Sequence, residues 1–166
     1  MRIVLADEDH AGPWAQLRAA LWPDQTAGAH RAELAPFLSG GSDAAAFLAV
    51  TDTGEVAGFA EAALRRDYVN GCETSPVLFL EGIYVRPEDR KAGVGRALCD
   101  AVAAWGRAAG CSEFASDALI DNADSHAFHA ALGFAETERV VYFRKALAAA
   151  GGRALLPQVQ PTRSRT

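Results

Sequence analysis

Apolar positions change period several times along the chain, and each change marks a predicted element. Residues 2–6 read as a short strand, whereas Trp14, Leu17 and Leu21 recur at helical spacing and predict a helix over 10–21. Pro23 closes that helix, because the residue before a proline is pushed out of the α region. A second helix is expected over about 27–37, followed by the turn Ser39-Gly40-Gly41-Ser42. Residues 46–51 and 55–64 flank Asp52-Thr53-Gly54 and predict an antiparallel hairpin. Beyond a polar loop, residues 77–85 are almost continuously apolar, as in a strand covered on both faces, which puts them at the centre of a sheet.

After Pro87 a glycine-bearing loop leads into a helix over about 95–109, with Val94, Leu98, Val102, Trp105 and Ala109 in helical register and Gly110 as its stop. A short strand is expected over 113–117, a short helix over 125–132 stopped by Gly133, and a final strand over 137–145. The predicted order is β-α-α-β-β-β-α-β-α-β, an α/β chain of the α+β kind. Residues 148–166 turn to Ala, Gly, Pro, Gln and Arg with few apolar anchors, so a mobile tail is expected outside a folded domain at 1–147.

Composition narrows the class. A chain of 166 residues, 50% apolar, supports one continuous core and not two comfortable ones. No stretch approaches the roughly 18 apolar residues of a membrane span, and Arg2 and Asp7 bring charge too early for a signal peptide, so a soluble, cytoplasmic protein is expected. Cys72, Cys99 and Cys111 fall in no metal-binding or paired spacing and read as reduced thiols, with no metal site expected. A formal charge of -5 with only Lys91 and Lys145 as lysines disfavours nucleic acid and suits a cationic small molecule.

Two features carry chemistry. In Arg90-Lys91-Ala92-Gly93-Val94-Gly95-Arg96, glycines permit positive φ and close approach, so backbone N–H groups and the positive end of the following helix can converge on a diphosphate. An isolated R-x-x-G-x-G is as readily an ordinary strand-to-helix loop. The second feature is Glu81, which interrupts the central apolar strand; a carboxylate there is costly unless a cation or donor meets it. Gly82 beside it is a natural place for a β-bulge that opens a cleft. Asp117 and Glu138 can converge on the same opening, with Tyr68 and Trp22 as flat walls for a sugar ring, although each carboxylate taken singly is more often a solvated surface group.

At the glycine loop the chain resembles the GNAT superfamily, whose R/Q-x-x-G-x-G/A loop after the fourth strand holds the pyrophosphate and pantetheine of acetyl-CoA. Asn122 followed by Ser125-His126-Ala127-Phe128-His129-Ala130-Ala131-Leu132-Gly133-Phe134 is similar to that superfamily's second signature. The resemblance implies the GNAT fold, a mixed, mostly antiparallel, splayed sheet flanked by helices. It implies acetyl-CoA contacts at Ile83, Tyr84, Val85, Lys91, Ala92, Gly93, Val94, Gly95, Arg96 and Asn122. His129 stands where many members have a tyrosine thought to protonate the departing thiolate; an imidazole suits that task near neutral pH, and a structural helix-face histidine is the competing reading.

Leu21-Trp22-Pro23, Asp67-Tyr68-Val69-Asn70-Gly71-Cys72, Phe79-Leu80-Glu81-Gly82-Ile83, Ala115-Ser116-Asp117 and Glu136-Thr137-Glu138-Arg139-Val140 look like the aminoglycoside 6'-N-acetyltransferases. That resemblance implies drug contacts at Trp22, Tyr68, Glu81, Asp117 and Glu138. Gln25 stands where the family often has a histidine, which weakens a contact there. An amine acceptor must be neutral to attack a thioester, so Asp117 is the first candidate base and Glu81, through water, the second. Acetylation of another amine, or non-catalytic binding of drug or acyl-CoA, are the competing functions. The strongly β-forming Val140-Val141-Tyr142-Phe143 leaves an edge for a partner chain to cover, so a homodimer is expected.

Overall fold

The structure, a computed structural model, describes residues 1–41 and 43–147. Ser42 of the expected turn and the expected tail at 148–166 lie outside the described residues. Five strands, β1 (Arg2–Leu5), β2 (Ala44–Val50), β3 (Val56–Arg65), β4 (Val77–Val85) and β5 (Phe114–Ser116), form one sheet in chain order. Every neighbouring pair is antiparallel except β4–β5, which is parallel. The helices are α1 (Ala11–Leu21), α2 (Ala27–Ala32), α3 (Ala35–Leu38), α4 (Val94–Ala108) and α5 (Ala123–Ala131).

The β2–β3 hairpin turns where Asp52-Thr53-Gly54 predicts it. Gly54 takes φ 88°, Gly54 N–H donates to the Thr51 carbonyl at 3.0 Å and Thr51 N–H to the Glu55 carbonyl at 2.8 Å. Helix α4 packs on one face of the sheet, burying Val94, Leu98 and Val102 against Ala60, Ala62, Leu78, Leu80 and Ile83. Helix α1 covers the other face with Trp14 and Leu21 against Leu48, Val50 and Phe59. The two central strands are thus covered on both sides, as the long apolar run of β4 requires. Gly110 ends α4 at φ 88° while Cys111 N–H reaches back to the Gly106 carbonyl at 2.9 Å, and Gly133 ends α5 in the same way at φ 92°.

Two expectations are corrected. The single helix over 27–37 is two short ones, α2 and α3, because Pro36 has no N–H to give the Ala32 carbonyl and the helix must restart at Ala35. The strand expected over 137–145 is absent from the sheet: residues 134–147 lie in neither helix nor strand, and Val141, Tyr142 and Phe143 are 76%, 81% and 93% exposed. Strand propensity is realised only where a neighbour supplies hydrogen bonds and a face to bury. The adjacent sheet edge is the three-residue β5, too short to supply either.

Candidate active site

A break in register builds the site. Glu61 of β3 pairs with Gly82, and Ala62 with Leu80, so Glu81 is the extra residue of a β-bulge. The core-facing positions of β4 change phase across it: Leu78 and Leu80 face α4 before the bulge, Ile83 and Val85 after it. Glu81 and Gly82 therefore both turn to the α1 side of the sheet. On the other edge of β4, pairing with β5 stops at Leu80–Ser116. β5 ends there, so from Glu81 to Val85 this edge of β4 has no strand beside it, as the splayed sheet that the resemblance implies requires.

The glycine loop lies past the C-terminal end of β4. Lys91 at φ 60° and Gly93 at φ 83° curl the chain into α4, whose first helical hydrogen bond runs from Ala97 N–H to the Gly93 carbonyl. The N–H groups of Val94, Gly95 and Arg96 thus have no intrahelical acceptor, and among the described residues no side chain caps the helix. That donor set fits a diphosphate, and the edge of β4 at Ile83, Tyr84 and Val85, beyond the end of β5, fits an amide-bearing arm beside it. Gly95 is required for packing, since a methyl there would lie 2.8 Å from the Phe128 ring and separate α4 from α5. Arg96 donates to the Ala131 carbonyl at 2.6 Å, so its side chain ties the end of α5 to the loop. Arg90 donates to the Val85 carbonyl at 2.9 Å. Ala92 is exposed in the loop, and the Asn122 side chain caps α5 by accepting from Ser125 N–H at 3.1 Å.

On the α1 side of the sheet, Trp22 lies against the bulge. A methyl group on Gly82 would lie 2.5 and 2.6 Å from Trp22 Cζ2 and Cη2. The indole is held from behind by Phe59, His30 and the Arg18 guanidinium, with centroid separations of 6.1, 6.1 and 4.8 Å. Gly82→Ala is accordingly expected to lower stability by about 1–3 kcal/mol, read in urea unfolding, and to weaken acceptor binding by displacing Trp22. Gln25 lies half-buried in the turn between α1 and α2.

Glu81 is half-buried, and burial raises its pKa; the neighbouring Arg65 opposes that rise, while the negative charge of Asp117 adds to it. Asp117 itself is exposed just past the end of β5, across the splay from Glu81. Val69 packs with Val77 and Phe79, anchoring the loop that carries the exposed Tyr68. Glu113 fixes the far end of the same loop by accepting from Glu73 N–H at 3.0 Å and Thr74 N–H at 2.6 Å. Thr137 packs so closely on Gly71 that a methyl there would lie 2.2 Å from its Oγ1, which brings the exposed Glu138 beside the Tyr68 loop.

His129 donates from Nδ1 to the Ser125 carbonyl at 2.7 Å, while its buried Nε2 has no hydrogen-bond partner among the described residues. Its ring lies between Phe128 and Phe134. Burial pushes all three thiols up, Cys99 to about 12, so none is poised as a nucleophile.

Sequence reasoning missed two arginines. Arg65 binds Glu81 through three hydrogen bonds of 2.9–3.1 Å. Arg18 binds the fully buried Glu61, whose other oxygen accepts from Trp14 Nε1 at 2.8 Å. A charge inside the apolar run Val56-Ala57-Gly58-Phe59-Ala60-Glu61-Ala62 was the available signal for Glu61. Its partner on α1, and that of Glu81 across a bulge, depend on register and helix placement.

The chain matches the acetyltransferase (GNAT) family over residues 14–134. It is 56% identical over 137 residues to aminoglycoside N(6')-acetyltransferase type 1 of Stenotrophomonas maltophilia, covering 82% of this chain and 88% of that one. Against the protein of the same name from Serratia marcescens it is 51% identical over 145 residues, 87% of this chain and 99% of the relative. A solved structure of AAC(6')-Iy with the bisubstrate analogue CoA-S-monomethyl-acetylneamine is similar at a TM-score of 0.83 and 45% identity, covering 88% of this chain and 98% of the other. Identity at this level across nearly the whole described fold, together with the splayed β4 edge and the glycine loop, makes the chain a member of the GNAT acetyltransferases and, within them, of the aminoglycoside N(6')-acetyltransferase family.

Proposed function

We propose that this chain transfers the acetyl group of acetyl-CoA to the 6'-amine of aminoglycoside antibiotics, and so confers resistance to them. The observation that carries the reading is the opening where the β4–β5 ladder stops. It has the bulge carboxylate Glu81 on one strand, Asp117 past the end of the other, Trp22 as a flat wall, and the α4 donor set beyond. A polyhydroxylated polyamine matches several carboxylates beside an indole, because its ammonium groups offer charge and its rings offer flat faces.

Acetyl-CoA, when bound, supplies the thioester carbonyl. The N–H groups of Val94, Gly95 and Arg96 hold its diphosphate, with Lys91, Ala92 and Gly93 shaping the approach and Asn122 at the start of α5. Asp117 accepts a proton from the 6'-ammonium, with Glu81 acting through water as the second candidate, and the neutral nitrogen then attacks directly. As the C–N bond forms and the C–S bond breaks, the thiolate leaves and takes a proton. His129 is assigned as its donor through Nε2, a step that needs both ring nitrogens to carry a proton, because Nδ1 already donates to the Ser125 carbonyl. Tyr68, Gln25 and Glu138 complete the acceptor wall.

Kanamycin plus acetyl-CoA should release free CoA thiol with sequential kinetics, and NMR of the product should place the acetyl group on the 6' nitrogen. No thiol release above background hydrolysis, or a trapped acetyl-enzyme, would overturn the reading. Dependence on acetyl-CoA supports a cytoplasmic site of action. Among the described residues no helix is long and apolar enough to cross a membrane.

The exposed Val140-Val141-Tyr142-Phe143 segment supports a homodimer in which this β-forming stretch pairs with a second copy. Light scattering at micromolar concentration is expected to give twice the chain mass, and a monomer mass defeats the dimer.

A further inference from the structure

We infer that Arg65 is a positioning residue of the acceptor site, one whose guanidinium sets both the orientation and the charge state of the Glu81 carboxylate. The inference rests on the function proposed above and deepens it.

The geometry is that of a clamp. Arg65 is the last residue of β3, on the same sheet face as Glu61, and its Nε donates to Glu81 Oε1 at 3.1 Å. Its Nη2 donates to Oε1 and Oε2, each at 2.9 Å. One face of the guanidinium plane is covered: Cζ lies 3.3 Å from the centroid of the Phe79 ring. Phe79 is 4% exposed and packed with Val69 and Val77, so the ring is a fixed platform. A planar fork seated on an aromatic face loses little further freedom in binding a carboxylate, a property an ammonium group does not share. The arginine is therefore built in as a permanent partner.

Why the site needs one follows from the surroundings of Glu81. On its face of the sheet this side chain meets the field of other negative groups: Asp117 past the end of β5, and Glu61 on β3, which is itself bound by Arg18 of α1. Burial and the charge of Asp117 both favour a protonated Glu81, and the charge and hydrogen bonds of Arg65 oppose them. A protonated carboxyl neither attracts an ammonium nor accepts a proton from one. A carboxylate has about four lone-pair positions. The three contacts from Arg65 leave room for one more donor, which an incoming ammonium or a bridging water supplies.

The clamp predicts a sign opposite to that of a placeholder. Were Arg65 merely occupying the seat of the substrate's ammonium, removing it would tighten aminoglycoside binding. A permanent partner, once removed, lets Glu81 hold its proton to higher pH and weakens both binding and turnover on the acidic side.

Three variants test this: Arg65→Gln, Arg65→Lys, and Arg65→Gln combined with Glu81→Gln. The Glu81 carboxyl is followed by 13C NMR titration of the full chain without substrate, and kcat/KM for kanamycin is measured against pH. In Arg65→Gln the carboxyl titration is expected to move up, and the acidic limb of kcat/KM with it, so that the loss relative to wild type is greatest on the acidic side and fades as pH rises past the limb of the variant. Arg65→Lys should hold the limb near its wild-type position while kcat falls, because charge is kept and the fork is lost. In the double variant the limb should no longer respond to residue 65.

An unmoved Glu81 titration in Arg65→Gln, in a wild type that does acetylate kanamycin, overturns the role of Arg65 and leaves the function standing. Tighter kanamycin binding by Arg65→Gln with an unchanged limb overturns it in favour of the placeholder. A wild type that turns over no aminoglycoside overturns the function, and this role with it, even where the carboxyl titration moves.

Discussion

Asp117→Asn is expected to cut kcat/KM for kanamycin by about 10²–10⁴-fold, the range over which a positioned general base contributes. The amine is largely protonated at neutral pH, and attack on the thioester needs its lone pair. Asp117 sits past the end of β5, exposed to solvent and close enough to Glu81 for its charge to raise that carboxyl's pKa. A carboxylate so placed can take a proton from the ammonium and pass it to water. The amide of asparagine keeps the shape and a hydrogen bond but cannot take the proton. Loss should therefore fall mainly on kcat, with a smaller rise in KM from the missing charge. An unchanged kcat with an unchanged pH profile would remove Asp117 from this role and leave Glu81, acting through water, as the base.

Arg18→Met should lower the unfolding free energy at neutral pH by about 3–5 kcal/mol, read as a lower midpoint in urea. Glu61 is 2% exposed in the layer beneath α1 and holds its charge through Arg18 and Trp14. Arg18 also reaches Glu33 with Nη2 at 2.7 Å. Burial pushes the Glu61 carboxyl up to about 6 from an ordinary 4.5, with the charge and hydrogen bond of Arg18 and the hydrogen bond of Trp14 opposing. A folded-state value above the unfolded one means that the native state binds the proton more tightly. On account of this group, stability falls as pH rises from about 4.5 to about 6.

Without Arg18 the window extends to higher pH, so the deficit of the variant should shrink on acidification, because a protonated Glu61 needs no counter-charge. Adding Glu61→Gln to Arg18→Met should restore much of the loss at neutral pH, since the amide still accepts from Trp14 and carries no charge. A deficit that is independent of pH would mean that Arg18 acts through packing alone. Activity should respond as well, because the same guanidinium backs the Trp22 ring at 4.8 Å.

Much of the architecture was legible in residue order, because it rests on local chemistry. The Asp52-Thr53-Gly54 hairpin, the apolar run of β4, the amphipathic α4 with Gly110 behind it, and the glycine loop each carry their signal within a few residues. The break between α2 and α3 was equally local, since Pro36 was visible and its missing N–H decides it. Glu81 and Gly82 announced a bulge, because a carboxylate and a glycine side by side in an apolar strand serve neither core nor ladder.

Partnership was not legible in the same way. Arg65 meets Glu81 only because the β3–β4 register sets Arg65 opposite Val77, on the face that Phe79 and Glu81 share, and Arg18 meets Glu61 only because α1 lies across β3. The fate of residues 137–145 belongs here too: their composition is that of a strand, but a strand exists only where another edge accepts its hydrogen bonds, and β5 ends after three residues. Period, turn chemistry and composition are properties of neighbours along the chain, so the sequence by itself determined the five strands of the sheet, the long helices beside them, their order and the glycine loop. Charge pairing, burial and edge completion are properties of neighbours in space, and only the tertiary structure decided which carboxylate stands beside which arginine.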